Sequence, residues 1–344
     1  MTLRVGTRGS ALATAQAGDV ARSIAEATGI ETELVPVTTH GDVSRESLAS
    51  LGGTGVFASA LREALLAGEC DLVVHSMKDL PTADYPGLTI GAVPERADAR
   101  DALCARDGLT LDALPRGARV GTGSPRRVAQ LLARRPDLDV VDIRGNVDTR
   151  LGFVASGELD AVVLAAAGLG RLGRADAITE LFPLDEWITA PAQGALALEV
   201  RTSDLDERTP VGQTLSAAFA AIGDAEAFAA AAAERGLLAG LEAGCSAPVG
   251  AHAVVDGTEL AITAAVYSED GRASLRLGRH EKLASGVPVA PTDGGDTGVA
   301  TAPGSTDFTE MAVRAMIKES EHAGRALADD LLAAGAASLA PRKR

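Results

Sequence analysis

The chain of 344 residues is 46% hydrophobic and 23% charged, which supplies apolar material for two or three domains and excludes global disorder. A formal net charge of −15 sets it against nucleic acid or an anionic membrane surface as the main partner. Cys70, Cys104 and Cys245 have no paired spacing, and Met1–Ser10 lacks the apolar stretch of a signal peptide, so a reducing, cytoplasmic setting is expected.

Short Val/Leu/Ile runs fall at Leu3–Thr7, Glu33–Thr38, Asp71–His75, Leu88–Val93, Ala118–Gly121, Asp139–Ile143, Asp160–Leu164 and Leu196–Val200. They alternate with helical patterns, which predicts an α/β fold with mostly parallel strands flanked by helices. Two segments repeat in the same order. Arg4-Val5-Gly6-Thr7-Arg8-Gly9-Ser10 returns as Arg119-Val120-Gly121-Thr122-Gly123-Ser124, and Gly68-Glu69-Cys70-Asp71-Leu72-Val73-Val74 returns as Gly157-Glu158-Leu159-Asp160-Ala161-Val162-Val163. Two such echoes predict two related lobes, one at 1–95 plus about 195–215 and one at 98–190. Pro94–Arg100 and Thr189–Gly194 are the expected crossings between them, and a two-stranded hinge over a cleft is a common ligand site.

Beyond about residue 220 the texture changes to a third, α+β domain running to 344. Asp224 is the expected N-cap of an Ala-rich helix to about Leu241, whose Asp224, Glu226, Glu234 and Arg235 mark it as a soluble helix and not a membrane span. Alternating segments at Val249–Val255, Glu259–Tyr267 and Ala273–Arg279 predict an antiparallel meander. The Gly/Pro/Thr/Asp-rich stretch at about 285–305 reads as a flexible insertion. An amphipathic helix over Asp307–Leu332 follows, with Met311, Met316, Leu327 and Leu331 expected in the core.

The chemistry-bearing residues collect at strand ends. Gly6-Thr7-Arg8-Gly9-Ser10 places a guanidinium beside a helix N-terminus, and Gly121–Arg127 repeats this with Pro125 at the first helical position. Arg144-Gly145-Asn146-Val147-Asp148-Thr149-Arg150 and Arg171 add further guanidiniums. In so acidic a protein such focusing suits a ligand with several carboxylates. His75-Ser76-Met77-Lys78-Asp79-Leu80-Pro81-Thr82 follows an apolar strand, on the edge where α/β ligand sites gather. Gly244-Cys245-Ser246 puts a thiol among small residues on a loop, whereas Cys70 and Cys104 sit beside or within apolar runs as small hydrophobes. Metal, serine-hydrolase and nucleotide sites are not expected, because the His spacing, the nucleophile elbow and the P-loop lysine are missing.

Taken in order, these motifs resemble the porphobilinogen deaminase family, with the match running from the N-terminus to about Gly250. The resemblance implies two periplasmic-binding-protein-like lobes and a smaller domain that bears a dipyrromethane joined by a thioether to Cys245. It implies that four porphobilinogens are joined with loss of ammonia into hydroxymethylbilane, with Asp79 as the catalytic carboxylate. Lys78, Thr122, Ser124, Arg126, Arg127 and Arg144 are the implied cofactor contacts; Arg8, Ser10, Gln16, Arg150 and Arg171 are the implied substrate contacts. The family further implies a monomer acting on a small-molecule substrate. The chain departs from the family at Thr54 in Gly52-Gly53-Thr54-Gly55, at His40 and at Gly123, which touches individual contacts and not the chemistry. A cytoplasmic carboxylate-binding module is the alternative; it accounts for the lobes and arginines but not for Gly244-Cys245 or a third domain.

Overall fold

The computed structural model describes residues 1–37, 55–242, 247–284 and 305–339. Residues 285–304 of the insertion expected at about 285–305, His40, Gly52–Thr54 and Cys245 therefore lie outside the described residues. Strands β1 (Leu3–Arg8), β2 (Thr32–Val37), β3 (Leu72–Ser76) and β4 (Leu88–Ala92) belong to a first sheet. Strands β5 (Asp101–Ala105), β6 (Arg119–Gly121), β7 (Asp139–Val141), β8 (Ala161–Ala165) and β9 (Glu180–Leu181) form a second. The chain then returns to the first sheet as β10 (Leu196–Arg201), inserted between β3 and β4 and antiparallel to both.

The sheet orders are β2-β1-β3-β10-β4 and β7-β6-β8-β5-β9, the same arrangement twice. In each, a three-strand parallel unit is followed by an antiparallel strand, β10 in the first sheet and β5 in the second. The sequence echo has a structural cause. Arg4 N–H donates to Asp71 Oδ2 at 2.9 Å, and Arg119 N–H donates to Asp160 Oδ2 at 2.7 Å. The return bonds, Asp71 N–H to Arg4 C=O and Asp160 N–H to Arg119 C=O, are both 2.9 Å. Gly6 and Gly121 recur because each strand is overlain closely. A β-carbon at Gly6 would lie 2.6 Å from Val73 Cγ1, and one at Gly121 would lie 2.6 Å from Leu159 Cδ1.

Helices α1 (Ala11–Thr28) and α2 (Gly55–Leu66) belong to the first lobe, and α3 (Pro125–Arg134), α4 (Val147–Ala155) and α5 (Ala166–Arg171) to the second. Next come α6 (Pro210–Ile222), packed against the first sheet with Leu215 and Ala218 fully buried, and α7 (Ala225–Gly240), which Asp224 caps by accepting Ala227 N–H at 2.9 Å. Strands β11 (Val249–Asp256), β12 (Glu259–Tyr267) and β13 (Ser274–Lys282) make the antiparallel meander. Helix α8 (Ser305–Ala333) crosses α7, and the two cover the meander around Leu237, Ile262, Met316 and Leu327. Each such buried aliphatic contributes roughly 1.5–3 kcal/mol.

Three expectations need correction. Met311 is 70% exposed: it lies five positions before Met316, well over a third of a turn off the stripe that buries Met316, Leu327 and Leu331. Strands β5 and β9 went unread, because β5 is set among the charges of Glu95–Arg106 and β9 has only two residues. The strands are not mostly parallel: β10 in the first sheet and β5 in the second each run antiparallel to both neighbours.

No helix among the described residues is long and apolar enough to cross a membrane. The overlay at Gly121 yields a test. Gly121→Ala should lower stability by about 1–3 kcal/mol through overpacking. Gly152→Ala, with nothing within 4 Å of the added carbon on an exposed helix, should raise it by about 0.5–1 kcal/mol. Thermal denaturation of the two variants checks both signs.

Candidate active site

Strand β3 ends in a single 3-10 turn, Met77–Asp79. Met77 is buried against the first lobe, which leaves Lys78 half-buried and Asp79 exposed. The turn is pinned from the third domain: Arg235 on α7 donates to the carbonyls of Leu80 at 2.8 Å and Pro81 at 2.7 Å. Ser10 begins α1 by accepting Ala13 N–H at 3.3 Å, and Asn146 begins α4 by accepting Thr149 N–H at 2.8 Å. Ser124 stands at the same place before α3 but makes no side-chain capping bond.

The centre of the site is a buried carboxylate. Asp101, at the start of β5, is fully buried and accepts Arg126 Nη2 at 2.8 Å and Arg127 Nη2 at 2.6 Å. It also accepts Trp187 Nε1 and Gln193 Nε2, each at 2.8 Å. Burial alone would push the Asp101 carboxyl up, but the Arg126 and Arg127 guanidiniums outweigh it and hold it well below the usual carboxylate range. The Arg126 and Arg127 Nη1 groups go to the carbonyls of Ile188 (2.8 Å) and Val163 (2.9 Å). Their Nε atoms are buried and, among the described residues, have no partner.

Gln193, in the second crossing, bridges the lobes. Its Oε1 accepts Lys78 Nζ at 3.3 Å while its Nε2 donates to Asp101 and, at 2.8 Å, to the Ala99 carbonyl. Burial draws the Lys78 ammonium down to about 8, with Asp79 opposing and Arg127 reinforcing. Glu234 on α7 knots the crossings to the third domain: it is fully buried, pairs with Arg96 at 2.7 Å, and accepts the Ala192 and Ala253 N–H groups.

Of the residues singled out from sequence, Lys78, Ser124 and Arg126 line one cavity together with Ala190, Pro191, Leu238, Ala247 and Val249. All three domains thus meet there, and Ala247 is two positions past Cys245 in sequence. Arg150 is within electrostatic reach of Arg127 and Arg144: burial lowers its guanidinium first, then Arg127 and Arg144, while Asp142 and Asp79 oppose. Arg150 Nε donates to the Gly145 carbonyl at 2.9 Å, and Arg144 makes an exposed pair with Asp142 at 3.2 Å. Arg171 is lowered by burial and donates to Gly194 C=O at 2.9 Å, on the second crossing. Arg8 stands half-buried at the end of β1.

Two contacts read from sequence are not presented to the cleft. Thr122 has no exposed surface, and its hydroxyl accepts Ser124 N–H at 3.3 Å, so it shapes the turn. Gln16 is buried with its amide committed to Ser76 Oγ at 2.9 Å. Asp101, Gln193, Glu234 and Arg96 were missed. The available signal was one acid inside the apolar run Asp101–Ala105, since a buried carboxylate obliges a buried cation.

The donor set fits an acidic pyrrole cofactor: guanidiniums and an ammonium converge on one junction, with buried N–H groups still to be satisfied. The family model described as porphobilinogen deaminase, dipyromethane cofactor binding domain, matches residues 3–209, and that for the porphobilinogen deaminase C-terminal domain matches residues 228–285. The porphobilinogen deaminase of Leifsonia xyli subsp. xyli is 57% identical over 99% of this chain and 95% of its own length. That of Micrococcus luteus is 54% identical over 80% of each chain. An ABC-transporter periplasmic substrate-binding protein from Coxiella burnetii aligns over 63% of this chain and 91% of its own at 14% identity and a TM-score of 0.40. The chain belongs to the porphobilinogen deaminase family.

Proposed function

We propose that Asp79 is the catalytic carboxylate of a porphobilinogen-polymerising transferase and that Cys245 carries its dipyrromethane primer. The observation that carries this reading is the single cavity lined by Lys78, Ser124, Arg126 and Ala247, beside the Asp79 turn. When bound, the dipyrromethane supplies the nucleophilic pyrrole end from which the tetrapyrrole grows.

Arg126 and Arg127 would hold its carboxylates, with Lys78 and Ser124 alongside. Arg144 and Arg150 take carboxylates of cofactor and incoming substrate. The exposed Arg144–Asp142 pair is worth only about 0–1 kcal/mol, so Arg144 gives it up at little cost. Arg8, Ser10 and Arg171 complete the substrate side from the two lobes. Asp79, exposed at the end of its turn, accepts the pyrrole N–H of porphobilinogen and stabilises the cation formed as ammonia departs. One carboxylate serves every addition if the growing chain moves past it.

The lobes at 1–95 with 195–215 and at 98–190, and the third domain at 220–344, are the corresponding functional units. A cytoplasmic monomer acting on this one small molecule completes the reading.

Two outcomes follow from the assigned roles. The purified native protein should exceed its sequence mass by one dipyrromethane, and Cys245→Ser should remove that increment in intact-mass spectra. Asp79→Asn should fold and carry the cofactor, yet lose turnover on the order of 10²-fold or more; wild-type kcat in that variant would refute the role.

A further inference from the structure

Gln193 is 1% exposed and stands where the second crossing passes between the sheets. Its side-chain amide is used at both ends. The oxygen accepts from Lys78 Nζ in the first lobe (3.3 Å) and from Arg127 Nη2 in the second (3.4 Å). The nitrogen donates to Asp101 Oδ1 and the Ala99 carbonyl, both at 2.8 Å. Its own backbone carbonyl accepts Arg96 Nε at 2.9 Å, and Arg96 is held in turn by buried Glu234. Oxygen toward cations and nitrogen toward a carboxylate is the one amide orientation that satisfies every neighbour.

We infer that Gln193 is a positioning residue that sets the Lys78 ammonium at a fixed distance from the Asp101–Arg127 pair, so that cations from both lobes meet the same pyrrole carboxylates in register. This rests on the cofactor reading above. A crossing that merely joined two domains would not need a buried amide with five bonding partners, three of them charged side chains. Arg or Lys here would repel Lys78 and Arg127; an apolar residue would strand Asp101 Oδ1 and the Ala99 carbonyl with one partner fewer.

The groups facing Lys78 are Asp79 on its own turn, Arg126 and Arg127 from α3, and Asp101 from β5. Lys78 is one of only four lysines, with Lys282, Lys318 and Lys343, so isotope-labelled methyl groups placed on the lysines of the holoenzyme resolve its titration by NMR. Gln193→Glu puts a carboxylate beside the ammonium and should raise the Lys78 midpoint by roughly one pH unit. Gln193→Met removes the acceptor and should lower it. The Gln193→Met holoenzyme should also lose kcat by about tenfold or more, as a misplacement near 1 Å can cost about 10²-fold, with KM little changed. Coincident midpoints in the native protein and both variants, or undiminished kcat in Gln193→Met, would overturn the inference. Should Gln193→Met not fold, the direction of the Gln193→Glu shift decides alone. A native chain without the dipyrromethane increment would instead remove the cofactor reading, while the Lys78 titrations would still judge the relay.

Discussion

The structure turns on one buried charge. Asp101 is withdrawn from water at the start of β5, the first strand the chain lays down after crossing to the second lobe. A lone carboxylate there would cost several kcal/mol. Two guanidiniums on one turn of α3 meet it, so the pair Arg126 and Arg127 must sit where Asp101 places them. Because two cations share one anion, the cluster keeps a net positive charge at the base of the cleft. A chain whose formal charge is −15 thereby holds a local site for carboxylates.

The remaining links radiate from that node. Trp187 closes one side, stacked on Phe182 with ring centroids 4.3 Å apart and its N–H on Asp101. Gln193 carries the node to Lys78, and Glu234 binds both crossings to the third domain. Gln130 on α3 accepts the Tyr267 hydroxyl at 3.1 Å and so joins the same helix to β12. Three domains are therefore coupled through hydrogen-bonded charges at their junction, and two small apolar clusters join in: Met77 and Leu80 with Ala227 and Ala231 of α7, and Ala129 and Ile188 with Ala265 and Tyr267 of β12.

Much of this was legible in the sequence, for physical reasons that differ by element. The echoed segments announced two equivalent sheets because the same local requirements recur: a strand overlain too closely for a β-carbon, and an acid that accepts the N–H of the arginine near the strand's start. Ser10 and Asp224 were readable as caps because capping is decided within three residues. Arg126 and Arg127 stood out in the sequence, but their shared partner Asp101 did not, since it lies 25 and 26 residues away in the chain. Gln193 is 92 residues from Asp101 and Glu234 is 138 from Arg96, distances over which composition and periodicity carry no information. Met311 shows the opposite error, a helical stripe extended one residue type too far.

The most direct test is to remove the charge and keep the shape. Asp101→Asn leaves an amide in the carboxylate's place, so Arg126 and Arg127 face each other without an anion between them. Intact-mass spectra of the folded variant, prepared as the native protein is, should show dipyrromethane on only a small minority of molecules. Native occupancy in Asp101→Asn would contradict the view that this one carboxylate organises the site.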